Sequence, residues 1–531
     1  MSHLLKTKET PPIEGGPSAQ PAATPFVSAK GDFSNRFGLH ETRRDLKGKT
    51  LRGGAITIAS QFSKFGVYTA FSIVMSRLLS PRDYGLVGMV TAVTALFRIL
   101  NYGGLSTATV QRKEVTHELI STVFWINIAL GISMTLVCVL LSPCVAWLYH
   151  EPQLLWITVG MASVFLLDAA SSQHLALLRR SMKFGLLAGI EMLSMIIAAI
   201  VALLMAFRGF GFWALVGFQI VVGVVSLMAA WIIEPWRPGL PHRRSGAGSM
   251  LKFGGFLTAG SLMHSLFRNC DNILIGWRWG TGPLAFYQKA YSLLMLPVNQ
   301  VNVPIASVAI GALSRLNSEP DRQRRYFVGG CSISAAITMP IVATAALFAS
   351  EIIPFALGPQ WSPSVKMFQL LAPATMVGAL FSPLGWLFVA SGRTDRQFKL
   401  SLIWTILILA SFVAGLPFGA EGVAIAFSAM STILIIPACL FATHGTPIRL
   451  SDIAAALKCP AAAATLAIVA GLIFRAAVPP TTPLWVWALG GPSTVLVTYA
   501  LVLLVGFRQW YRYREIAGHL LPAKRANLGT L

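Results

Sequence analysis

Four basic side chains lie inside long apolar stretches of the sequence, where a charge is unfavourable. They are Lys64, Arg98, Arg268 and Lys289. A cation at the centre of a lipid-facing helix costs roughly 2.5–3.5 kcal/mol, so four together cost on the order of 10 kcal/mol. Such residues must face a water-filled cavity or a partner, or lie near a helix end. A cavity lined by cations favours an anionic ligand.

Polar side chains recur beside these cations at steps of three to four residues, which places them on one face of a helix. The pattern is regular around Lys64, Arg98 and Arg268 and less regular around Lys289. We therefore predict one central cavity whose cations bind the anionic part of a substrate. The other residues predicted to line it are Gln61, Tyr68, Asn101, Asn272, Tyr291 and Asn299.

Each cation also has a simpler interpretation. Arg268 and Asp271 are three residues apart and could form an ion pair within one helix. Lys289 is close enough to a helix end for its ammonium to reach the membrane surface. Lys64 lies about 16 Å from the cytoplasmic start of its helix at 1.5 Å per residue, and Arg98 lies near the middle of its helix. Reaching the membrane surface is therefore harder for both of these side chains.

Acidic and histidine side chains in the apolar stretches are candidates for coupling transport to protons or cations. The alternative is that they pair with the cations or lie near helix ends. The candidates are Asp168, Glu191, His264 and Asp271.

Other chemistry is not indicated. The six cysteines have no paired spacing, and the sequence lacks a GxxxxGK[ST] phosphate-binding loop, HExxH and GxSxG. The predicted external loops are too short for a catalytic domain. We therefore predict no metal site, no cofactor and no enzymatic activity.

The composition indicates which elements position these residues. Of the 531 residues, 55% are hydrophobic and 12% are charged, and the mean hydropathy is +0.66; soluble proteins have about 25% charged residues. Fourteen apolar stretches are long enough to cross a bilayer, and lipid leaves helices as the spanning structure for stretches of this length. The predicted fold is all-α, a polytopic membrane protein with about 14 transmembrane helices.

The basic residues support this topology. With both termini in the cytoplasm, and with Lys458 counted at the cytoplasmic start of its stretch, 32 of the 42 Lys and Arg residues fall on the cytoplasmic side and 6 on the opposite side. This is a strong positive-inside bias. It accounts for the net charge of +22 without a nucleic-acid partner. The predicted topology is that of a multi-pass membrane protein with both termini in the cytoplasm.

The chain also repeats itself weakly. Four pairs of similar segments occur in the same order at offsets between 202, from Pro81 to Pro283, and 214, from Phe184 to Phe398. An even number of helices per repeat makes the two lobes parallel, with a substrate site between them. The predicted units are a disordered tail at 1–50, an N-lobe at 53–233, a basic linker at 234–252, a C-lobe at 253–442, a two-helix extension at 453–507 and a basic tail at 508–531.

Several segments together resemble one known family. They include SRLLSPRDYGLVGMVTAVTALF, GGLSTATVQR, STVFWINIALG, RRSMKF, GFGFWALV, DNILIGWRWG and AYSLLMLPVNQVNVPIASV. In these segments, over about residues 50–440, the chain resembles the bacterial polysaccharide flippases of the Wzx type. Their superfamily also contains the MATE drug exporters and the lipid II flippases.

The resemblance implies a function. These proteins move an undecaprenyl-pyrophosphate-linked oligosaccharide from the cytoplasmic to the periplasmic leaflet, for exopolysaccharide or lipopolysaccharide assembly. The partners implied are this lipid-linked glycan and membrane lipid, with polysaccharide polymerase and chain-length regulator proteins as further candidates. The alternative is an ion-coupled exporter of small organic compounds from the same superfamily.

Overall fold

The computed structural model describes residues 43–102, 105–112, 115–242, 248, 265 and 268–510, and the regular structure of these residues is helical throughout. The helices, in chain order, are α1 (Arg43–Leu78), α2 (Pro81–Tyr102), α3 (Leu105–Gln111), α4 (His117–Tyr149), α5 (Gln153–Arg180), α6 (Phe184–Phe207), α7 (Trp213–Ile233), α8 (268–279), α9 (Thr281–Arg315), α10 (Pro320–Leu347), α11 (Ala349–Leu357), α12 (Pro363–Ala390), α13 (Thr394–Gly415), α14 (Gly419–Thr443), α15 (Leu450–Ala477) and α16 (Leu484–Leu501).

The helices have the length and composition of membrane spans. Nine helical segments among the described residues are long and apolar enough to cross a bilayer, and one of them, Asp395–Thr443, covers α13 from its second residue and the whole of α14. The predicted all-α multi-pass fold is confirmed. The number fourteen stays a prediction, because most of the predicted span at 253–277 lies outside the described residues.

The first helix is longer than its apolar stretch. Helix α1 begins at Arg43, whereas the sequence predicts a span from residue 53 and assigns 43–50 to a tail. The rest of that predicted tail, and the C-terminal tail from residue 511 on, lie outside the described residues. Hydropathy detects the lipid-facing part of a helix and not its polar continuation.

Short turns connect the helices at two ends of the bundle. We call the end that holds the α1–α2 and α4–α5 turns the outer end, and the opposite one the inner end. At the outer end, Ser80 and Asp83 form reciprocal side chain-to-backbone hydrogen bonds of 3.3 and 3.0 Å at the start of α2. The other carboxylate oxygen of Asp83 accepts the Phe212 N–H at 3.1 Å. One acid therefore ties the α1–α2 turn to the α6–α7 turn.

Helix neighbours are the same in the two halves of the chain. In the N-lobe, α1–α7, helix α5 packs against α2, α4 and α7, and α6 packs against α7. In the C-lobe, α8–α14, helix α12 packs against α9, α10 and α14, and α13 packs against α14 in the same way. The contacts of these described helices thus follow the repeat predicted from the sequence, and α3 and α11 are short additions to it.

The two-helix extension, α15 and α16, is attached to the C-lobe at both ends. At the inner end the Arg324 Nε donates to the Asp452 carboxylate at 2.8 Å. At the outer end Arg475 forms an ion pair with Glu351 and donates to the Ser350 hydroxyl at 2.8 Å. Because the two ends are held to α10 and α11, the extension and the C-lobe form one packed unit.

Among the described residues, the two lobes share an apolar core at the outer end. One buried cluster there contains Met89 and Tyr149 from the N-lobe together with Leu284 and Trp361 from the C-lobe. At the inner end, the described residues form separate clusters for each lobe, for example around Phe124 in the N-lobe. Over the part of the chain that the structure describes, apolar packing therefore joins the lobes at the outer end, and the inner-end clusters are separate for each lobe.

Two glycines on α2 let the lobes approach closely at the outer end. A Cβ atom on Gly85 would overlap the backbone carbonyl of Thr281, and one on Gly88 would overlap the Gln288 side chain. The Gln288 amide donates to the Gly88 carbonyl at 3.4 Å across the same contact. Helices α2 and α9 could not pack at this distance with a larger residue at position 85.

We expect Gly85→Ala to destabilise the closed outer end. The added methyl group meets backbone rather than a flexible side chain, so α2 and α9 must separate, at a cost of about 1–3 kcal/mol. Thermal denaturation of the purified protein in detergent measures this as a lower melting temperature.

The matched control is Gly282→Ala, since a Cβ atom there meets nothing within 4 Å. Equal melting temperatures for the two variants would show that the α2–α9 contact is not tightly packed.

Candidate functional site

A set of contacts joins the lobes at the outer end, and we call it the outer seal. The Trp361 indole donates to the Ser76 carbonyl at 2.8 Å, and the Gln360 amide donates to the same oxygen at 2.7 Å. Arg77 donates to the Ala356 carbonyl at 3.0 Å and also to that of Phe355. The outer seal comprises Ser72, Ser76, Arg77, Tyr84, Gly85 and Gly88 of the N-lobe and Thr281, Gln288, Lys289, Phe355, Ala356, Gln360 and Trp361 of the C-lobe.

Two predicted cations of the N-lobe are each paired with a predicted coupling acid. Lys64 on α1 forms an ion pair with Glu191 on α6, and both side chains are partly exposed. Arg98 on α2 lies 4.0 Å from the Asp168 carboxylate on α5. The pairing reduces the cost of holding these charges among apolar helices. These two ion pairs agree with the alternative interpretation that the acids pair with the cations. They also place the candidate coupling acids beside the candidate substrate-binding cations.

The third predicted cation belongs to the C-lobe. Arg268, at the first described residue of α8, has an exposed side chain. No ion pair within 4.0 Å joins it to Asp271 in the described part of the chain. The buried Asp271 carboxylate instead accepts the Tyr287 hydroxyl at 2.9 Å and the Asn272 backbone N–H at 2.8 Å.

An aromatic stack extends from this buried acid along α9. The rings of Tyr287 and Tyr291 are parallel with centroids 6.4 Å apart, and Tyr291 also lies edge-on to Phe427 of α14 at 6.5 Å. The half-buried Asn272 lies next to Asp271 on α8. Arg268, Asn272 and Tyr291 are thus on adjoining helices of one lobe.

Lys289, the fourth predicted cation, has a different setting. Its side chain is buried, with 6% of its surface exposed, and it lies within the outer seal. The ammonium donates to the Ser72 hydroxyl at 3.2 Å and lies 4.4 Å from the centre of the Tyr84 ring. It therefore does not extend to the membrane surface at the outer end.

The remaining predicted residues are partly described. On α1, Gln61 is half-buried and Tyr68 is exposed, and their spacing places both on the face of Lys64. Asn299 on α9 is exposed. The side chain of Asn101 and the whole of His264 lie outside the described residues. No cluster of three or more His, Cys, Asp or Glu side chains in the described ranges could hold a metal ion.

Some residues of the site were not predicted from the sequence. Trp361 and Tyr84 enclose Lys289 and meet edge-on at 5.2 Å. Arg180 is buried and donates to the Thr109 and Arg112 carbonyls at 2.9 and 2.6 Å, which holds the end of α3 against α5. Arg180 belongs to the RRSMKF segment and Tyr84 to the SPRDYG segment, so the quoted motifs contain both without indicating their contacts.

The fold and the site define a class of protein. Two homologous helical lobes meet at a closed outer end, and charged and polar side chains lie on α1, α2, α8 and α9. The fold is that of a solved membrane transporter, the "Lipid II flippase MurJ, inward closed conformation". The TM-score is 0.67 at 14% sequence identity, and the match covers 87% of this chain and 99% of that one.

Sequence comparison gives the family. The family model described as "Polysaccharide biosynthesis protein" matches residues 74–366, which is more than half of the chain. The chain belongs to this family, which confirms the resemblance found in the sequence.

Two relatives are similar over most of their length. The lipopolysaccharide biosynthesis protein WzxC of Escherichia coli K12 is 24% identical over 389 residues, covering 72% of this chain and 78% of the relative. The teichuronic acid biosynthesis protein TuaB of Bacillus subtilis 168 is 25% identical over 356 residues, covering 64% and 74%.

We expect Tyr287→Phe to destabilise the C-lobe. The change removes one of the hydrogen bonds to the buried Asp271 carboxylate, at a cost of about 1–3 kcal/mol. Thermal denaturation in detergent is the measurement. Tyr291→Phe is the control because it removes the hydroxyl of the stacked neighbour on the same helix. An equal decrease in melting temperature for both variants would argue against a specific role of the Tyr287–Asp271 hydrogen bond.

Proposed function

We propose that this protein is a flippase. It moves an oligosaccharide repeat unit linked to undecaprenyl pyrophosphate from the cytoplasmic to the periplasmic leaflet of the inner membrane. The two lobes alternate between a state open to the inner side and a state open to the outer side, and both termini lie in the cytoplasm. The protein transports its substrate without a chemical reaction.

The position of the shared core is the observation that carries this proposal. The lobes have one common apolar core and many polar contacts at the outer end, whereas the described inner-end clusters belong to one lobe each. A passage between such lobes is closed outside and can receive substrate from the inner side. Loading from the cytoplasmic leaflet requires this arrangement.

The comparisons support the nature of the substrate. According to their names, the two relatives take part in the biosynthesis of lipopolysaccharide and of teichuronic acid. The protein of similar fold is named for flipping lipid II. A glycan carried on a lipid is consistent with all three names. The other partner we propose is membrane lipid, and polysaccharide polymerase and chain-length regulator proteins remain candidates.

The charged side chains fit a diphosphate. We propose that Lys64, Arg98 and Arg268 bind the pyrophosphate and that Lys289 contributes less, since it is buried in the outer seal. The acids that pair with Lys64 and Arg98 keep these cations compensated while no substrate is bound. A phosphate group, with its several acceptor oxygens, could then take the place of a carboxylate.

Polar and aromatic side chains suit the glycan part of the substrate. Sugars need hydrogen-bonding groups and flat apolar surfaces, and the lipid tail can remain in the bilayer. We propose that the glycan path is lined by Gln61, Tyr68, Asn101, Asn272, Tyr291 and Asn299.

Transport needs a source of free energy. An inside-negative potential favours outward movement of an anion by about 2.3 kcal/mol per charge per 100 mV. Protons or cations could add to this through Asp168, Glu191, His264 or Asp271. Of these, Glu191 and Asp168 are paired with the proposed phosphate-binding cations, so uptake of a proton by either acid would release a cation for the substrate.

Lys64→Ala and Arg268→Ala should each abolish surface polysaccharide while the protein remains in the membrane. Both changes remove a positive charge from the proposed pyrophosphate site. Complementation of a deletion strain, with immunoblotting of membranes, measures polysaccharide and protein together. Lys366→Ala is the matched control, because Lys366 is 65% exposed at the outer end and pairs with Glu421 away from the seal.

Deletion of the gene tests the substrate itself. The expected result is accumulation of an undecaprenyl-pyrophosphate-linked oligosaccharide on the cytoplasmic side, identified by mass spectrometry of the lipid extract. Normal polysaccharide and no accumulated intermediate would contradict the flippase and favour an ion-coupled exporter of small compounds.

A further inference from the structure

Lys289 is compensated differently from the other buried charges. Five charged side chains are buried among the described residues: Arg180, Glu234, Asp271, Lys289 and Asp452. Glu234 and Asp452 face the cations Lys183 and Arg324. The other two, Arg180 and Asp271, have several hydrogen bonds each.

The ammonium of Lys289 contacts one hydroxyl group and two aromatic rings. It donates to Ser72 at 3.2 Å and lies 4.4 and 5.2 Å from the ring centres of Tyr84 and Trp361. Among the described residues no carboxylate lies within 4.0 Å of it. The stretch 249–267, which precedes α8, contains no Asp or Glu in its sequence.

These contacts compensate the charge only in part. An ammonium has three N–H donors, and only one of them has a hydrogen-bond acceptor among the described residues. Attraction to aromatic faces replaces part of the lost hydration, but a buried cation without an anionic partner remains unfavourable. Closing the outer seal therefore has a cost that opening the seal would remove.

The contacts also cross the boundary between the lobes. Ser72 and Tyr84 belong to the N-lobe, whereas Lys289 and Trp361 belong to the C-lobe. Separation of the lobes at the outer end would part the ammonium from Ser72 and Tyr84 and expose it to water. The same charge that is unfavourable in the closed state is well solvated in the open one.

We propose that Lys289 sets the opening equilibrium of the outer seal, because its buried ammonium keeps the closed state from becoming too stable to open. The apolar core and the hydrogen bonds of Trp361 and Arg77 favour closure. The partly compensated lysine opposes them. This inference rests on the alternation between two states that the proposed flippase requires.

The experiment measures opening without transport. Ala285 lies between Thr281 and Gln288 on α9, on the face that contacts α2, and is 1% exposed. A single cysteine at this position, with the six native cysteines replaced, reacts with a membrane-impermeant maleimide on intact cells only when the seal opens. When opening and closing are fast, the labelling rate reports the open population.

We expect Lys289→Met to slow this labelling by roughly tenfold, since a flexible apolar side chain fills the same space without a charge. Lys366→Met, which removes an exposed lysine from the same lobe, should leave the rate unchanged. An equal or faster rate for Lys289→Met overturns the proposal, because the lysine would then not oppose closure.

Ser72→Ala provides an independent test through a milder change. It removes the hydrogen-bond acceptor of the ammonium, so labelling should become faster when Lys289 is present and should not change in the Lys289→Met background. The same acceleration in both backgrounds contradicts the proposal. Labelling after denaturation gives the amount of protein in each case. The labelling rate reports opening of the seal and not transport of the glycan, so this inference can fail while the flippase function holds, and the reverse.

Discussion

The cost of holding a charge among apolar helices is the constraint on which this structure depends. Lys64 faces Glu191, Arg98 lies by Asp168, and buried Arg180 takes three backbone carbonyls as acceptors. These partners belong to different helices of one lobe, so the same contacts that compensate the charges also fix helix positions. Charge compensation thus stabilises the N-lobe as a unit.

Joining the lobes depends on a different interaction. At the outer seal the close approach of α2 and α9 at Gly85 and Gly88 lets backbone meet backbone, and the indole of Trp361 bonds to the opposite lobe. Apolar packing and neutral hydrogen bonds can separate and form again without leaving an ion pair broken. The ion pairs lie within lobes and the contacts between the lobes are mainly neutral, which suits the proposed alternation between two states.

The sequence predicts the helices, the repeat and the residues that need partners, because each of these depends on local composition or on periodicity along one helix. It does not predict the partners. Lys64 and Glu191 are 127 positions apart, and the surroundings of Lys289 come from α1, α2 and the turn before α12. Periodicity shows which residues share a helix face but not which faces meet across the bundle. The alternative interpretation of Lys289, in which its ammonium reaches the membrane surface, is wrong for this reason, since the side chain is buried in the outer seal.

The extension limits which parts can move. Ion pairs of Arg324 with Asp452 and of Arg475 with Glu351 hold α15 and α16 to α10 and α11 at both ends. Between them, Gly491 lies so close to Phe348 that a Cβ atom would overlap its ring. A rearrangement that kept α15 and α16 fixed while the C-lobe turned would have to break both ion pairs and this contact. Separation along the contact between α2 and α9 breaks no ion pair among the described residues. The proposed motion between the lobes should therefore take place at that contact, with α15 and α16 moving as part of the C-lobe.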